Sequence, residues 1–121
     1  MKQLTKAEEE IMQILWQLEK AFVKEIIEHF PEPKPAYNSV STIIRILENK
    51  GVVAYVAFGK SHQYFPLIKK EEYTRNFLGR FVENYFSGSY SQLVSFFTSQ
   101  NNLSVTDLED LLDELKKHRN D

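Results

Sequence analysis

A mainly α-helical fold with one small β-hairpin, followed by a helical tail, is predicted by three features of the chain. Apolar residues recur at three- and four-residue spacing through most of its 121 residues. Two short β-rich segments, residues 52–57 and 62–66, flank the turn Phe58-Gly59-Lys60-Ser61. Beyond Lys69 the pattern is amphipathic throughout, with no further strand signal.

Thr5-Lys6-Ala7-Glu8 is a capping box, in which the Thr hydroxyl and the Glu carboxylate satisfy each other's backbone N–H groups. Ala7, Ile11, Ile14, Leu15 and Leu18 then follow at helical spacing, which predicts a first helix ending near Leu18. A second short stripe, Val23, Ile26, Ile27 and Phe30, is stopped by Pro31-Glu32-Pro33-Lys34-Pro35, whose prolines remove donors and forbid helix. A third helix is predicted from Tyr37 to Lys50-Gly51, with Gly51 as left-handed cap and Lys50 at the negative helix end. Three helices and a hairpin make a winged helix-turn-helix, expected over residues 1–70.

The third helix carries the functional signal. Val40, Ile43, Ile44 and Leu47 fall on one side, and Asn38, Ser41, Thr42, Arg45 and Asn49 on the other. Asn, Ser and Thr cost roughly 0.5 kcal/mol each in a helix relative to Ala, so an ordinary solvated face rarely collects them. Short hydrogen-bonding side chains with one Arg suit base edges and phosphates in a DNA groove. An ordinary surface helix with a polar cap is the competing reading of this segment alone. The candidate DNA-contacting set is Asn38, Ser39, Ser41, Thr42, Arg45, Asn49 and Lys50, joined by Lys60, Ser61 and His62 from the small, basic hairpin tip. Within it Thr42 and Arg45 are expected to recognise bases, while Lys50 and Lys60 supply charge.

Charge supports this division of labour. The net charge of −2 argues against a nucleic-acid binder, but residues 1–70 hold ten Lys/Arg against eight Asp/Glu, and residues 71–121 hold five against nine. A basic working surface and an acidic assembly module fit that asymmetry. The 42% apolar content suffices for one small domain with a helical extension. Without cysteine there are no disulfides, thiolate metal sites, iron–sulfur clusters or cysteine nucleophile. The longest apolar run, Val52 to Phe58, is far short of the ~20 residues a membrane span needs. Met1-Lys2-Gln3 leads into a charged helix with no apolar signal-peptide core, so a cytoplasmic location is expected.

In the tail, Tyr73, Phe77, Leu78, Phe81, Val82 and Tyr85 form a long stripe that Gly88 interrupts. Leu93, Val94, Phe96 and Phe97 mark a shorter helix, and Ser104-Val105-Thr106-Asp107 starts another bearing Leu108, Leu111, Leu112 and Leu115. Three amphipathic helices without a strand do not readily close a core of their own. Two copies would bury these faces against each other, so residues 71–121 are expected to form a helical dimerisation region. The competing arrangement folds the tail back on the winged domain of the same chain.

Over essentially its full length the chain resembles the penicillinase repressor family of winged-helix regulators, the BlaI/MecI/CopY group. The matching pieces are Leu4-Thr5-Lys6-Ala7-Glu8-Glu9-Glu10-Ile11-Met12 with Trp16, Ser39-Val40-Ser41-Thr42 through Leu47, and Lys50-Gly51 before the wing. Gly59-Lys60 to Tyr64-Phe65-Pro66, then Gly88 and Leu103-Ser104, continue the match in the same order. The resemblance implies a homodimeric repressor that binds a palindromic operator through the third helix and dimerises through its C-terminal helices. Copper-responsive members carry a C-terminal cysteine cluster, which this chain lacks, so that route is excluded by ligand chemistry. β-Lactam-responsive members are cleaved at an Asn-Phe bond in the penultimate helix under a membrane sensor protease. The matching bond here is Phe96-Phe97, so the residue before the cut departs from the pattern.

Other chemistry finds little support. His29, His62 and His118 lie in different elements without metal-ligand spacing, no Gly-rich phosphate loop is present, and the Glu8-Glu9-Glu10 run and the acids from Asp107 to Glu114 suit helix starts. No enzyme activity, metal or cofactor is expected. The alternative from another class is a winged-helix protein–protein module, but small polar residues with basic flanks favour DNA over a protein interface core. An amphipathic membrane-surface helix from Tyr73 to Phe86 is disfavoured because its polar face is not richly basic.

Overall fold

In the computed structural model, residues 3–100 are described, together with 106, 107, 109, 110, 113, 114 and 117. The elements run α1 (Lys6–Leu18), α2 (Val23–Glu28), α3 (Tyr37–Asn49), β1 (Val53–Phe58), β2 (Ser61–Pro66), α4 (Lys70–Phe86) and α5 (Tyr90–Gln100). This is the mainly helical winged helix with one hairpin that the sequence predicts. The chain divides into two compact units, residues 1–73 and 74–121.

Local signals act where they were read. Thr5 caps α1 by accepting from the Glu8 N–H while the Glu8 carboxylate accepts from the Thr5 N–H. Two Lys34 Nζ bonds, to the Phe30 and Glu28 carbonyls at 2.8 and 3.1 Å, satisfy the C-terminal end of α2. At the end of α3, Gly51 takes φ +79°. The Val52 N–H then reaches back to the Leu47 carbonyl at 3.1 Å and the Gly51 N–H to the Glu48 carbonyl at 3.0 Å, a Schellman motif that aims the chain into the hairpin.

The first unit is organised around one core. Ile11, Met12 and Leu15 of α1, Ile26 of α2, Val40, Ile44 and Leu47 of α3, Val53 of β1 and Tyr64 of β2 are buried together. Each such side chain contributes roughly 1.5–3 kcal/mol by leaving water. Ala7, placed by its spacing on the buried stripe, is exposed, and the neighbouring Glu8 is buried instead. Two-stranded pairing runs antiparallel from Val53↔Pro66 to Phe58↔Ser61. A contact beyond the sequence reading pins this hairpin: Ala21, between α1 and α2, bridges Tyr64 through N–H···O bonds of 2.9 and 2.8 Å.

Tyr73 departs from its expected place in the dimerisation stripe. Its side chain is buried, its ring lies 5.8 Å from that of Trp16, and its hydroxyl donates to Glu9 and accepts from the Leu4 N–H. Trp16 Nε1 in turn donates to the Ile68 carbonyl at 2.8 Å. The first turn of α4 is thereby fastened to α1, and the first unit runs on to Tyr73, past the expected boundary at Lys70. The reason is hydrogen bonding: a buried phenol needs a polar partner, and Glu9 supplies one that helical spacing alone does not reveal.

In the second unit the α4–α5 connection turns at Ser87 and Gly88, both at positive φ. Val82 and Leu93 are buried, while Leu78 and Phe81 are half-buried. Phe86 meets Phe81 and Phe96 at ring distances of 5.9 and 5.8 Å. Phe77, Tyr85, Phe96 and Phe97 stay exposed. Leu108, Leu111, Leu112 and Leu115, as well as His118, lie outside the described residues; their neighbours Asp107, Glu109, Asp110, Asp113 and Glu114 are helical.

Candidate nucleic-acid interface

The two faces of α3 have different fates. Val40, Ile44 and Leu47 go into the core, which forces Tyr37, Ser41, Arg45 and Asn49, four residues apart, onto one outward strip. This strip forms one wall of an open groove of about 820 Å³. The hairpin forms the facing wall through Tyr55, Phe58, Lys60, Ser61, His62 and Tyr64, and the start of α2 closes one end with Phe22, Val23, Lys24 and Glu25.

The hairpin wall is held in shape at three levels. At its base lies the Ala21–Tyr64 bridge. In its middle His62 stacks on Tyr55 with ring centres 3.9 Å apart and planes within 5°. Near its tip Phe58 meets Phe22 edge-on at 5.8 Å. The tip itself is a two-residue turn in which Gly59 takes φ +61°; positive φ on the first turn residue alone matches a type II′ connection, where glycine avoids a Cβ clash. Lys60 follows, exposed.

Of the residues expected to touch DNA, Ser41, Arg45, Asn49, Lys60, Ser61 and His62 converge on this groove. Asn38, Ser39 and Thr42 are exposed on α3 beside it, and the Thr42 hydroxyl donates back to the Asn38 carbonyl at 2.8 Å. Lys50 is placed elsewhere. Its Nζ lies 2.8 Å from Oε1 of the buried Glu8, so it joins α3 to α1 rather than standing free as a charge for DNA. Burial pushes the Glu8 carboxyl up, but the bonds from Lys50 and Thr5 outweigh that and hold it below its ordinary value of 4.5.

The sequence reading missed Lys24, Tyr37 and Tyr55 as groove residues. Tyr37 was legible, since it precedes Ser41 and Arg45 by whole four-residue steps. Tyr55 follows from strand alternation with buried Val53. No local pattern announces Lys24, which arrives through the packing of α2.

Lys24, Arg45 and Lys60 line this groove together with the acids Glu25 and Glu48, and Glu25 is engaged at the N-terminus of α2, accepting from the Phe22 N–H at 2.8 Å. Burial raises the pKa of Tyr64, with the Glu48 charge acting in the same direction and Arg45 opposing it. Cations and short amides and hydroxyls along an open wall suit an anionic polymer with hydrogen-bonding edges. Among the described residues no group of three or more His, Asp or Glu is placed to hold a metal ion, and no helix is long and apolar enough to cross a membrane.

The family described as penicillinase repressor matches residues 4–117. The methicillin resistance regulatory protein MecI of Staphylococcus aureus (strain N315) is 27% identical over 116 residues, covering 95% of this chain and 94% of the relative. MecI of Mammaliicoccus sciuri is 26% identical over the same length and coverage. The penicillinase repressor of Bacillus licheniformis is 23% identical over 119 residues, 98% of this chain and 93% of the relative. With its winged-helix fold and a family match over nearly its whole length, the chain belongs to the penicillinase repressor family, a family of transcriptional repressors and not of enzymes.

Proposed function

We propose that this repressor acts in the cytoplasm as a homodimer on a palindromic DNA operator, with α3 in the major groove and the hairpin tip on the adjoining phosphate backbone. The observation that carries this reading is the convergence of Ser41, Arg45 and Asn49 of α3 with Lys60 of the hairpin on one groove. Dimerisation is assigned to the second unit, where Phe77, Tyr85, Phe96 and Phe97 leave apolar surface in water. The leucines at 108, 111, 112 and 115 extend the same apolar pattern in sequence. Two-fold related α3 helices then read half-sites about one helical turn apart, or multiples of it. Selection from a randomised duplex library tests the reading. A symmetric motif with steep salt dependence is expected; binding without sequence preference at any salt concentration overturns operator recognition.

Relief of repression is assigned to cleavage at Phe96-Phe97 by a membrane-bound sensor protease. Both residues are exposed, but the bond lies inside α5. A protease cleft takes extended chain, so α5 must open locally before the cut. Gel-shift titration of intact and nicked protein, with and without copper or zinc, tests this route. Nicking should lower operator affinity by orders of magnitude; release of intact protein by micromolar metal would falsify a metal-blind repressor.

A second reading, a protein-docking module, draws on exposed Tyr37, Tyr55 and Phe58 around the groove. Retention on heparin separates the two: a DNA binder elutes late, at high salt, and an aromatic docking surface does not.

A further inference from the structure

Glu48 is the one acidic residue between Pro35 and Lys70, and it lines the groove with Arg45 and Asn49. It is half-buried on the α3 wall. Its charge reaches the buried Tyr64 hydroxyl, as does that of Arg45, and all three residues line the same groove. Unlike Glu8, Glu48 has no ion pair among the described residues.

As a backbone contact a carboxylate only weakens binding, because phosphates repel it. Toward base edges its chemistry is selective. A carboxylate accepts hydrogen bonds and donates none. In the major groove guanine presents only the O6 and N7 acceptors, thymine an acceptor and a methyl group, and adenine a donor beside an acceptor. Cytosine presents its N4 amine alone, so it is the base a carboxylate fits. Arg45, one turn earlier, fits guanine through O6 and N7. Three residues advance an α-helix by about 4.5 Å, and base pairs are stacked about 3.4 Å apart. The two side chains therefore address neighbouring base pairs when the helix lies along the groove.

We propose that Glu48 is a specificity-determining residue that accepts from a cytosine N4 amine next to a guanine read by Arg45, giving each half-site two adjacent G·C pairs. This rests on the reading that α3 enters the major groove. The acid also disfavours every other sequence, since the repulsion it brings is compensated only where cytosine meets it.

The test is selection from a randomised duplex library with the full-length protein, its Glu48→Gln variant and its Glu48→Ala variant. Glu48→Gln keeps the side chain's size and exchanges the acceptor for an amide that matches adenine N6 and N7. It should change the preferred base from cytosine to adenine at one position per half-site and leave the Arg45 position as it is. Glu48→Ala should lose preference at that position alone, binding random duplex a few-fold more tightly and the selected duplex about tenfold more weakly. A purely structural role for Glu48 moves overall affinity and does not exchange one base for another. A wild-type motif that both variants reproduce unchanged, or a parallel rise in affinity for selected and random DNA, overturns the assignment of Glu48 alone. Failure of the wild-type protein to enrich any motif overturns operator reading itself, and Glu48 with it.

Discussion

The winged unit and the helical tail are both made largely of amphipathic helices, yet they dispose of their apolar surface differently. In the first unit, helices approach one another from three directions and a hairpin closes the remaining side, so that Ile11, Met12, Leu15, Ile26, Ile44 and Leu47 are almost fully removed from water. In the second, among the described residues, Val82 and Leu93 are buried while Tyr85 is 74% exposed and Phe96 48%. By themselves α4 and α5 have no third direction from which to cover a stripe that is aromatic along its length. The first unit thus owes its stability to its own core, whereas the proposed role of the second makes its stability depend on protein concentration.

Removal of the second unit exposes this contrast most sharply. A chain ending at Arg75 retains Tyr73 and its bonds to Glu9 and Leu4. It is expected to stay folded by circular dichroism, to sediment as a monomer, and to lose about 10²–10⁴-fold in operator affinity. Dimeric sedimentation of that chain would place the interface in the winged unit.

Single truncations sharpen the same comparison. Leu15→Ala removes a fully buried side chain from the first core and should lower unfolding stability in urea by about 2–5 kcal/mol. Tyr85→Ala should change it by less than about 0.5 kcal/mol at low protein concentration and instead weaken association measured by sedimentation. Equal losses in both assays for both variants would remove the distinction between a self-sufficient unit and a partner-dependent one.

The Glu8–Lys50 pair gives the first unit a specific acid sensitivity. The folded pKa of Glu8 lies below its unfolded value near 4.5. Its stabilisation is therefore fully present above that pH and is lost as pH falls through it toward the folded value. Urea midpoints measured from pH 6 to pH 3 should fall, and Glu8→Gln should make the fall shallower. Lys50→Ala leaves a buried carboxylate without its cation. It should cost about 1–3 kcal/mol, less than for a fully buried pair because Lys50 is partly hydrated. A loss of DNA affinity with unchanged stability would return Lys50 to the DNA surface.

The remaining effects leave folding alone and are read on DNA binding at the groove. Lys60→Ala should weaken binding to all duplexes alike and lower the salt slope by about one unit, as one phosphate is no longer neutralised. Thr42→Ala should cost about 1–3 kcal/mol at one cognate base step and spare random DNA. Its hydroxyl proton is engaged by Asn38, which leaves its acceptor lone pair and its methyl group for the base. Parallel losses on cognate and random duplex for both variants would erase the difference between base-reading and charge-supplying residues.

Much of the winged fold was determined by the sequence alone, because its signals act over a few residues. The Thr5–Glu8 box, the prolines at 31, 33 and 35, the apolar stripe of α3 and the turn glycines at 51 and 59 each act on backbone within one or two turns of themselves. The outward strip of α3 was legible for the same reason: once Val40, Ile44 and Leu47 are assigned to a core, helical geometry places Ser41, Arg45 and Asn49 opposite. Other features were decided only in three dimensions. Lys50 meets Glu8 across 42 residues of chain, and Tyr73 meets Glu9 across 64. In both cases a polar group drawn into a packed interior had to find a partner wherever the fold supplied one. The Ala21–Tyr64 bridge that pins the wing, and the arrival of Lys24 in the groove that Arg45 lines, are likewise products of helix packing. Periodicity reveals which face of an element is buried. It does not reveal which distant residue is waiting there, because that depends on the crossing of elements whose order in sequence says nothing of their distance in space.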